Sequence, residues 1–501
     1  MNEAEKPSFS FSKFEKIFLI SWLVWLIAWL LEGPTHRHDF NTAQWMLHSW
    51  WFISEPIPEC LNISRISCWY YPTHPPLVHL FGIPGLLIFG WQVWPIRLVQ
   101  ALIVMWGGLE LRQFTSRYLD ASSGSIAFVI FLASPMMIFF GAIPNYEPTV
   151  TALICILMNR IHLQIIEPNS KRLATIFVLT ILGFLTDWSA FYPVGIALLL
   201  AWFAQFKGIE DGWLGKLRDY RVHITILFFA ACAVFFLHLY VIKMAYGSLD
   251  PLFSIAEKRS VSFDFSGTNW DSLFGNLPAV ALIPLTGIGV LFIQFFTMIS
   301  AWAIIIFARF KKDRIKTERV GRWIILPLSA GVIHCIIFLQ GALVHEYWTM
   351  PLLGPLCFIA ASSCFEWDQK TKDRIIVACA SIMMVWALIL LPLTDMDYSA
   401  GPIEEVDGIA EMIGDDSKLM ISYELISGRP EVVLSLHTGD LTPTSLITQD
   451  TELSEFDGAI ACTDDSGWQE FFDDSQQINI LEFRDSEVCT SGQFGIFIFI
   501  D

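Results

Sequence analysis

Windows of about 17 to 25 predominantly apolar residues, each long enough to cross the hydrocarbon core of a bilayer, recur along the first 394 residues of this chain and then stop. Backbone polar groups inside a bilayer have no water to bond, so such windows are expected as helices. The spans fall at approximately 17–31, 95–112, 124–141, 148–166, 173–190, 191–207, 222–242, 287–308, 322–343, 348–365 and 375–393. Only 16% of the residues are charged, against about 25% in a typical soluble domain. The first apolar run, Ile17 to Leu31, flows into an aromatic-rich loop without a small-residue cleavage site, and is read as a retained span.

The net charge of -18 is segregated. From Asp395 to Asp501 there are 24 acidic residues against Lys418, Arg429 and Arg484, so the preceding chain is close to neutral. No basic face of the extent that nucleic acid requires is present. Among the loops, one alternating set holds 22 of the 31 Lys and Arg residues, including Lys6, Lys13, Lys16, the run Arg309 to Arg322, and Lys370, Lys372 and Arg374. By the positive-inside bias that set is cytoplasmic, as is the N-terminus, and an odd number of spans puts the acidic tail on the other side.

Cysteine placement follows the same division. No interior of a basic loop holds a cysteine, whereas Cys60 and Cys68 share the first outer loop and Cys462 and Cys489 share the tail. Two pairs on an oxidising face are expected as disulfides, the alternative being four free thiols. Asn62-Ile63-Ser64 is a glycosylation sequon on that face.

The expected architecture is an all-α polytopic membrane bundle of about eleven helices over 1–394, followed by a small α/β domain over 395–501. The first outer loop, 32–94, is far longer than ordinary connections and carries Trp45, Trp50, Trp51, Trp69, Trp91 and Trp94. Its stretch Phe40 to Ile53 is expected as an amphipathic helix lying in the interface, where an aromatic belt also accounts for tryptophans. A second outer segment, 243–286, carries Lys258 and Arg259. In the tail, Val406–Ile413 reads as helix, and 418–423, 432–436, 478–483 and 494–500 read as strands.

Ionisable groups at a membrane boundary are costly unless used, and five groups map to the outer face. They are His36-Arg37-His38-Asp39 after the first span, Tyr70-Tyr71-Pro72-Thr73-His74-Pro75-Pro76-Leu77, Pro144-Asn145-Tyr146-Glu147-Pro148, Asp187, and His345-Glu346-Tyr347-Trp348. Each has an ordinary reading beside the functional one. Asp39 is a general base held near an acceptor hydroxyl, or an interfacial carboxylate beside Arg37. His36 and His38 are metal ligands with Asp39, or polar loop residues. Glu147 belongs to a site, or starts the fourth span's helix. Asp187 pairs inside the bundle or serves the site. His345 and Glu346 line a pocket or sit at the interface, and Lys258 and Arg259 contact lipid headgroups or clamp a substrate.

The order and sidedness of these motifs resemble the GT-C superfamily of glycosyltransferases. The nearest likeness is to the dolichyl-phosphate-mannose protein mannosyltransferase type and its prokaryotic lipid A aminoarabinose transferase relatives. The residues that carry it are His38-Asp39-Phe40 after the first span, His74-Pro75-Pro76-Leu77 with the apolar stretch Gly82 to Gly90, Arg97 after Pro95, Asn145-Tyr146-Glu147-Pro148, and His345-Glu346-Tyr347-Trp348. It covers about 1–395. Two departures stand out: His74 occupies the place of the family's Lys, and Phe40 leaves Asp39 as a single carboxylate.

The resemblance implies inverting transfer of a sugar from a polyprenyl-phosphate donor to an acceptor hydroxyl on protein, lipid or glycan at the extracytoplasmic face. Asp39 is then the base, and Arg97, His74 and Arg259 face the leaving phosphate. Glu147 positions donor or acceptor, His345 and Tyr347 line the pocket, and His36, His38 and Asp187 support it. Likeness to metal-independent members implies no cofactor, with a divalent ion between Asp39 and Glu147 as the lesser option. A transporter or flippase of lipid-linked sugars, or a sensor using the tail, are the competing classes; the first calls for ionisable groups near the midplane and paired repeats.

Overall fold

The computed structural model of the chain describes residues 10–31, 40–54, 73–259, 317–338 and 346–391, and five strands between 418 and 499. Asp39, His36, His38, His345, Cys60, Cys68 and Cys489 lie outside the described residues.

The first helix, α1 (Lys13–Leu31), opens on a reciprocal cap. Ser12 Oγ accepts from the Glu15 amide at 3.1 Å, and the Glu15 carboxylate accepts from the Ser12 amide at 2.8 Å. Arg112 Nε donates to the same carboxylate at 2.7 Å, fastening α1 to α4 (Trp94–Tyr118). Farther along α1, the indoles of Trp25 and Trp29 both donate to the Ile138 carbonyl, at 2.9 and 3.2 Å. These tryptophans join Phe18, Phe128, Phe131, Phe140 and Phe358 in the principal apolar core.

The apolar window 124–141 is divided. It forms α5 (Ala121–Leu132) and α6 (Pro135–Phe140), with Ser134 extended between them and its hydroxyl capping Met137 at 3.3 Å. Pro135 is the cause, because it lacks an N–H and pushes the preceding residue out of helical geometry. The next helix, α7 (Tyr146–Ile166), starts two residues before the expected 148 because the Asn145 side chain accepts from the Tyr146 amide. It crosses α4 closely: a Cβ on Gly107 would lie 2.7 Å from the Ala152 Cα.

Helix α2 (Phe40–Ser54) forms where expected, but not on an exposed surface. Every residue from Asn41 to Ser49 is buried. It packs against the 3-10 turn Val78–Leu80, α3 (Ile83–Phe89) and α4. Ser49 Oγ accepts from the Gly82 amide at 3.0 Å and donates to the His79 carbonyl. The amphipathic pattern was therefore satisfied by protein on both faces.

The bundle continues through α8 (Ser170–Phe184), α9 (Phe191–Phe206), α10 (Gly212–Asp219), α11 (Arg221–Tyr246), α12 (Asp250–Arg259), α13 (Thr317–Ile337), α14 (Leu353–Ser363) and α15 (Gln369–Val385). Among the described residues, four helical stretches are long and apolar enough to cross a membrane: Lys13–Leu31, Tyr146–Ile166, Trp188–Phe206 and Arg221–Met244. Large side chains project outward from α9 and α11, with Phe206 82% and Phe229 66% exposed. Such surfaces belong against lipid. The protein is an integral membrane protein with several crossings.

In the tail, β1 (Lys418–Ile421), β2 (Thr442–Leu446), β3 (Gly458–Cys462), β4 (Ser475–Glu482) and β5 (Gln493–Phe499) form one sheet of order β2-β1-β3-β5-β4. Strand β1 runs parallel to β2 and β3, while β5 is antiparallel to β3 and β4. Strands β1, β4 and β5 coincide with expected segments. Strands β2 and β3, carrying Pro443 and small Gly and Ala residues, lack the alternating apolar signal. The expected elements 406–413 and 432–436 lie outside the described residues.

Candidate functional site

Three segments remote in sequence bring their ionisable groups together. His74 lies in a bend just before Pro75 and Pro76; Glu147 sits in the first turn of α7; Asp187 leads the 3-10 turn Trp188–Ala190. All three are buried, and a ligand-type atom from each lies within 4.8 Å of the others. His74 Nε2 lies 3.3 Å from Asp187 Oδ2.

Each member is held by a separate contact. The Trp188 indole donates to the Thr73 carbonyl at 2.6 Å, and the Leu77 amide donates to the Leu185 carbonyl at 2.9 Å. These two bonds strap the His74-Pro75-Pro76-Leu77 segment to the end of α8, where the prolines themselves have no N–H to offer. Thr73 Oγ1 lies 2.9 Å from His74 Nδ1. The Asp187 carboxylate accepts from the Ser189 amide at 2.7 Å through Oδ1. Tyr146 stacks on the His74 ring with centroids 4.2 Å apart and planes at 12°.

Behind this cluster stands a wall of aromatic and imidazole rings. The Tyr146 hydroxyl bonds His79 Nε2, and Trp45 stacks on His79 at 4.6 Å. His48 meets His79 edge-on at 4.7 Å. Burial pushes the His48 imidazole down to about 3 and holds His79 well below the usual histidine range, so both rings are neutral at physiological pH. His334, on α13, lies within electrostatic reach of Asp187 and His74 and packs 5.2 Å from Trp348.

Of the sequence candidates, the structure thus unites His74, Glu147 and Asp187. Arg97 is fully buried in the first turn of α4; its guanidinium donates to the Trp29 carbonyl at 2.6 Å and lies over the Trp29 ring at 5.5 Å. Tyr347 packs on Phe140 at 5.3 Å. The backbone of Arg259 ends α12, and that of Cys462 ends β3; their side chains are outside the described residues. Trp45, His48, His79, Tyr146 and His334 were missed as site residues. For His334 a signal existed, since an ionisable residue inside an apolar span is a functional candidate by default.

An apolar groove runs beside the site between α7, α8, α9, α11 and α13. Gly183, whose carbonyl accepts from the Asp187 amide, and Ala190 line it, as do Lys216 and His223. A second buried polar cluster lies twelve residues along α7 from Glu147, about 18 Å away at helical rise. There Glu110 accepts from Asn159 and Arg160, and Arg117 donates to Asn159.

The chain aligns in three dimensions with ArnT from Cupriavidus metallidurans. Against the apo crystal structure the TM-score is 0.61 at 11% identity, covering 96% of this chain and 97% of that one. Against ArnT bound to undecaprenyl phosphate it is 0.62 at 12% identity, with the same coverage. No protein-family model matches the chain, and no curated protein matches it. The likeness shows the fold: this chain is folded as ArnT is, over nearly the whole length of both chains.

Proposed function

We propose that the protein is a membrane glycosyltransferase that moves one sugar from a polyprenyl-phosphate donor to an acceptor hydroxyl on the extracytoplasmic face, with inversion. The observation that carries this reading is the meeting of His74, Glu147 and Asp187 in one buried cluster within an ArnT-like fold. ArnT has been crystallised with undecaprenyl phosphate, which supports a lipid phosphate as the donor's leaving group. The apolar groove beside the cluster offers a polyprenyl chain a path out of water.

In this mechanism Asp39 accepts the proton of the acceptor hydroxyl while its oxygen attacks the anomeric carbon. The bond from that carbon to the phosphate oxygen breaks, and its electron pair leaves with the lipid phosphate. Arg97, His74 and Arg259 supply positive charge or hydrogen bonds to that developing anion. Glu147 orients donor or acceptor, and His345 and Tyr347 complete the pocket wall. His36, His38 and Asp187 hold these groups in place. Lys and Arg asymmetry supports an orientation with the acidic segment 395–501 outside the cytoplasm.

The direct assay uses purified protein in detergent, a radiolabelled polyprenyl-phosphate sugar and a panel of hydroxyl acceptors, without any gradient. Transfer of label to an acceptor is the expected result. Label that remains on the lipid in detergent but changes leaflet in proteoliposomes would replace this reading with that of a flippase.

A further inference from the structure

We propose that His334 is a ligand-binding residue whose buried imidazole donates a hydrogen bond to the phosphate of a lipid seated in the apolar groove. The assignment rests on the reading of that groove as the path of a polyprenyl chain. It adds a contact made from inside an apolar span to those expected from the outer loops.

Placement is the first argument. His334 lies in the last turn of α13. Pro327, seven residues earlier, lines the groove, and seven residues make two helical turns, so both side chains share one side of α13. Opposite stands α9, where Pro193 lines the groove and the Tyr192 ring lies 6.4 Å from the His334 ring. Ala190, also on the groove wall, ends the turn that Asp187 leads. His334 therefore stands where the groove meets the polar cluster, within electrostatic reach of Asp187 and His74. A polyprenyl chain in the groove brings its terminal phosphate to that junction.

The ring is held in place by packing alone. Trp348 and Phe338 each approach it with centroids 5.2 Å away. Gly331, one turn earlier, lets the 3-10 turn Glu346–Leu352 lie close against α13; a Cβ there would stand 2.5 Å from Leu352 Cγ.

The imidazole is 2% exposed, and its Nδ1 is enclosed without a hydrogen-bond partner among the described residues. A buried polar nitrogen without a partner is a standing cost to the fold, and a ligand that supplies the partner removes it. Asp187 is engaged elsewhere: its carboxylate faces His74 at 3.3 Å and accepts from the Ser189 amide at 2.7 Å. An imidazole carries at least one N–H in either protonation state, and phosphate oxygens accept strongly, so the bond forms whether or not the ring is charged.

The test measures dissociation constants of full-length protein in detergent for undecaprenyl phosphate and for undecaprenol, which has the chain without the phosphate. His334→Phe should weaken undecaprenyl phosphate binding about tenfold to a hundredfold and leave undecaprenol binding unchanged. Its thermal midpoint without lipid should equal or exceed that of the wild type, because an apolar ring replaces an unpaired polar one. His334→Asn, which keeps an N–H donor, should recover part of the phosphate affinity. Unchanged undecaprenyl phosphate binding in His334→Phe would overturn the assignment and leave the polyprenyl reading standing. Equal losses for both lipids, or a lowered lipid-free midpoint, would overturn it too, by making His334 a structural residue. A wild type that binds neither lipid would remove the assignment and the polyprenyl reading together.

Discussion

The Trp188 indole nitrogen donates to the Thr73 carbonyl oxygen at 2.6 Å across 115 residues of sequence. That bond joins the segment presenting His74 to the turn presenting Asp187, so the two site groups are positioned by one shared strut. Trp188→Phe keeps an aromatic ring against Phe191 and Phe235 but leaves a buried acceptor without its donor. The expected loss is about 1–3 kcal/mol, read as a lower thermal midpoint in detergent. Because the strut sets the position of His74, sugar transfer should fall as well, whereas a loss confined to stability would show that the Leu77 to Leu185 bond suffices to hold the segment.

Asp39→Asn should lower sugar transfer by about 10²–10⁴-fold while leaving elution profile and thermal midpoint unchanged. Full transfer activity in that variant would remove Asp39 as the base. Comparing the pH profile of transfer in the wild type with that of Asp39→Glu separates a proton acceptor from a residue that merely shapes the loop.

Acid should destabilise the protein through its buried histidines. The ordinary histidine value is 6.5, and burial holds His48 at about 3 and His79 well below the ordinary value. Below about pH 6.5 the unfolded chain therefore binds protons that the folded chain refuses, so stability falls as pH is lowered towards the folded value. Each such group contributes at most about 1.4 kcal/mol per pH unit in that window. Thermal midpoints measured from pH 7 to pH 5 should decline, and His48→Phe should flatten the decline relative to the wild type.

The positions of these residues show what could be read from the chain. Convergence of His74, Glu147 and Asp187 was legible because charge bias assigns each loop a side, and costly ionisable groups on one side point to a common site. The aromatic and imidazole wall was not. Trp45 and His48 lie on a helix whose pattern is equally that of a surface helix, and only the return of Val78–Leu80 and α3 over its other face buries it. Periodicity says which residues share a face, not what covers the opposite one. The break at Ser134 was legible in Pro135, but an uninterrupted apolar window outweighed it.

Helix approach at Gly107 gives a prediction independent of the site. A Cβ there would stand 2.7 Å from Ala152 Cα and 2.8 Å from its Cβ, so α4 and α7 would have to separate. Gly107→Ala is expected to cost about 1–3 kcal/mol, with Gly107→Val costing more. Ala152→Gly in the Gly107→Ala background removes one of the three close contacts, so partial recovery of the thermal midpoint is expected.

The ion pair between Arg112 and Glu15 argues for a larger effect five residues farther along α4. Their side chains are 8% and 1% exposed, with Nε and Oε1 2.7 Å apart. Glu15 also closes the cap of α1 through its bond to the Ser12 amide, so one carboxylate both starts a helix and neutralises a buried guanidinium. Glu15→Gln preserves shape and part of the cap but strands the charge of Arg112, which costs about 3–5 kcal/mol when a buried pair loses one partner. Replacing both by Gln and Met removes the stranded charge. The double variant should therefore be more stable than Glu15→Gln alone, measured as thermal midpoint and as the monodisperse fraction after extraction. If the single and double variants melted together, the guanidinium would be finding water or lipid phosphate, and the pair would not be what holds α1 to α4.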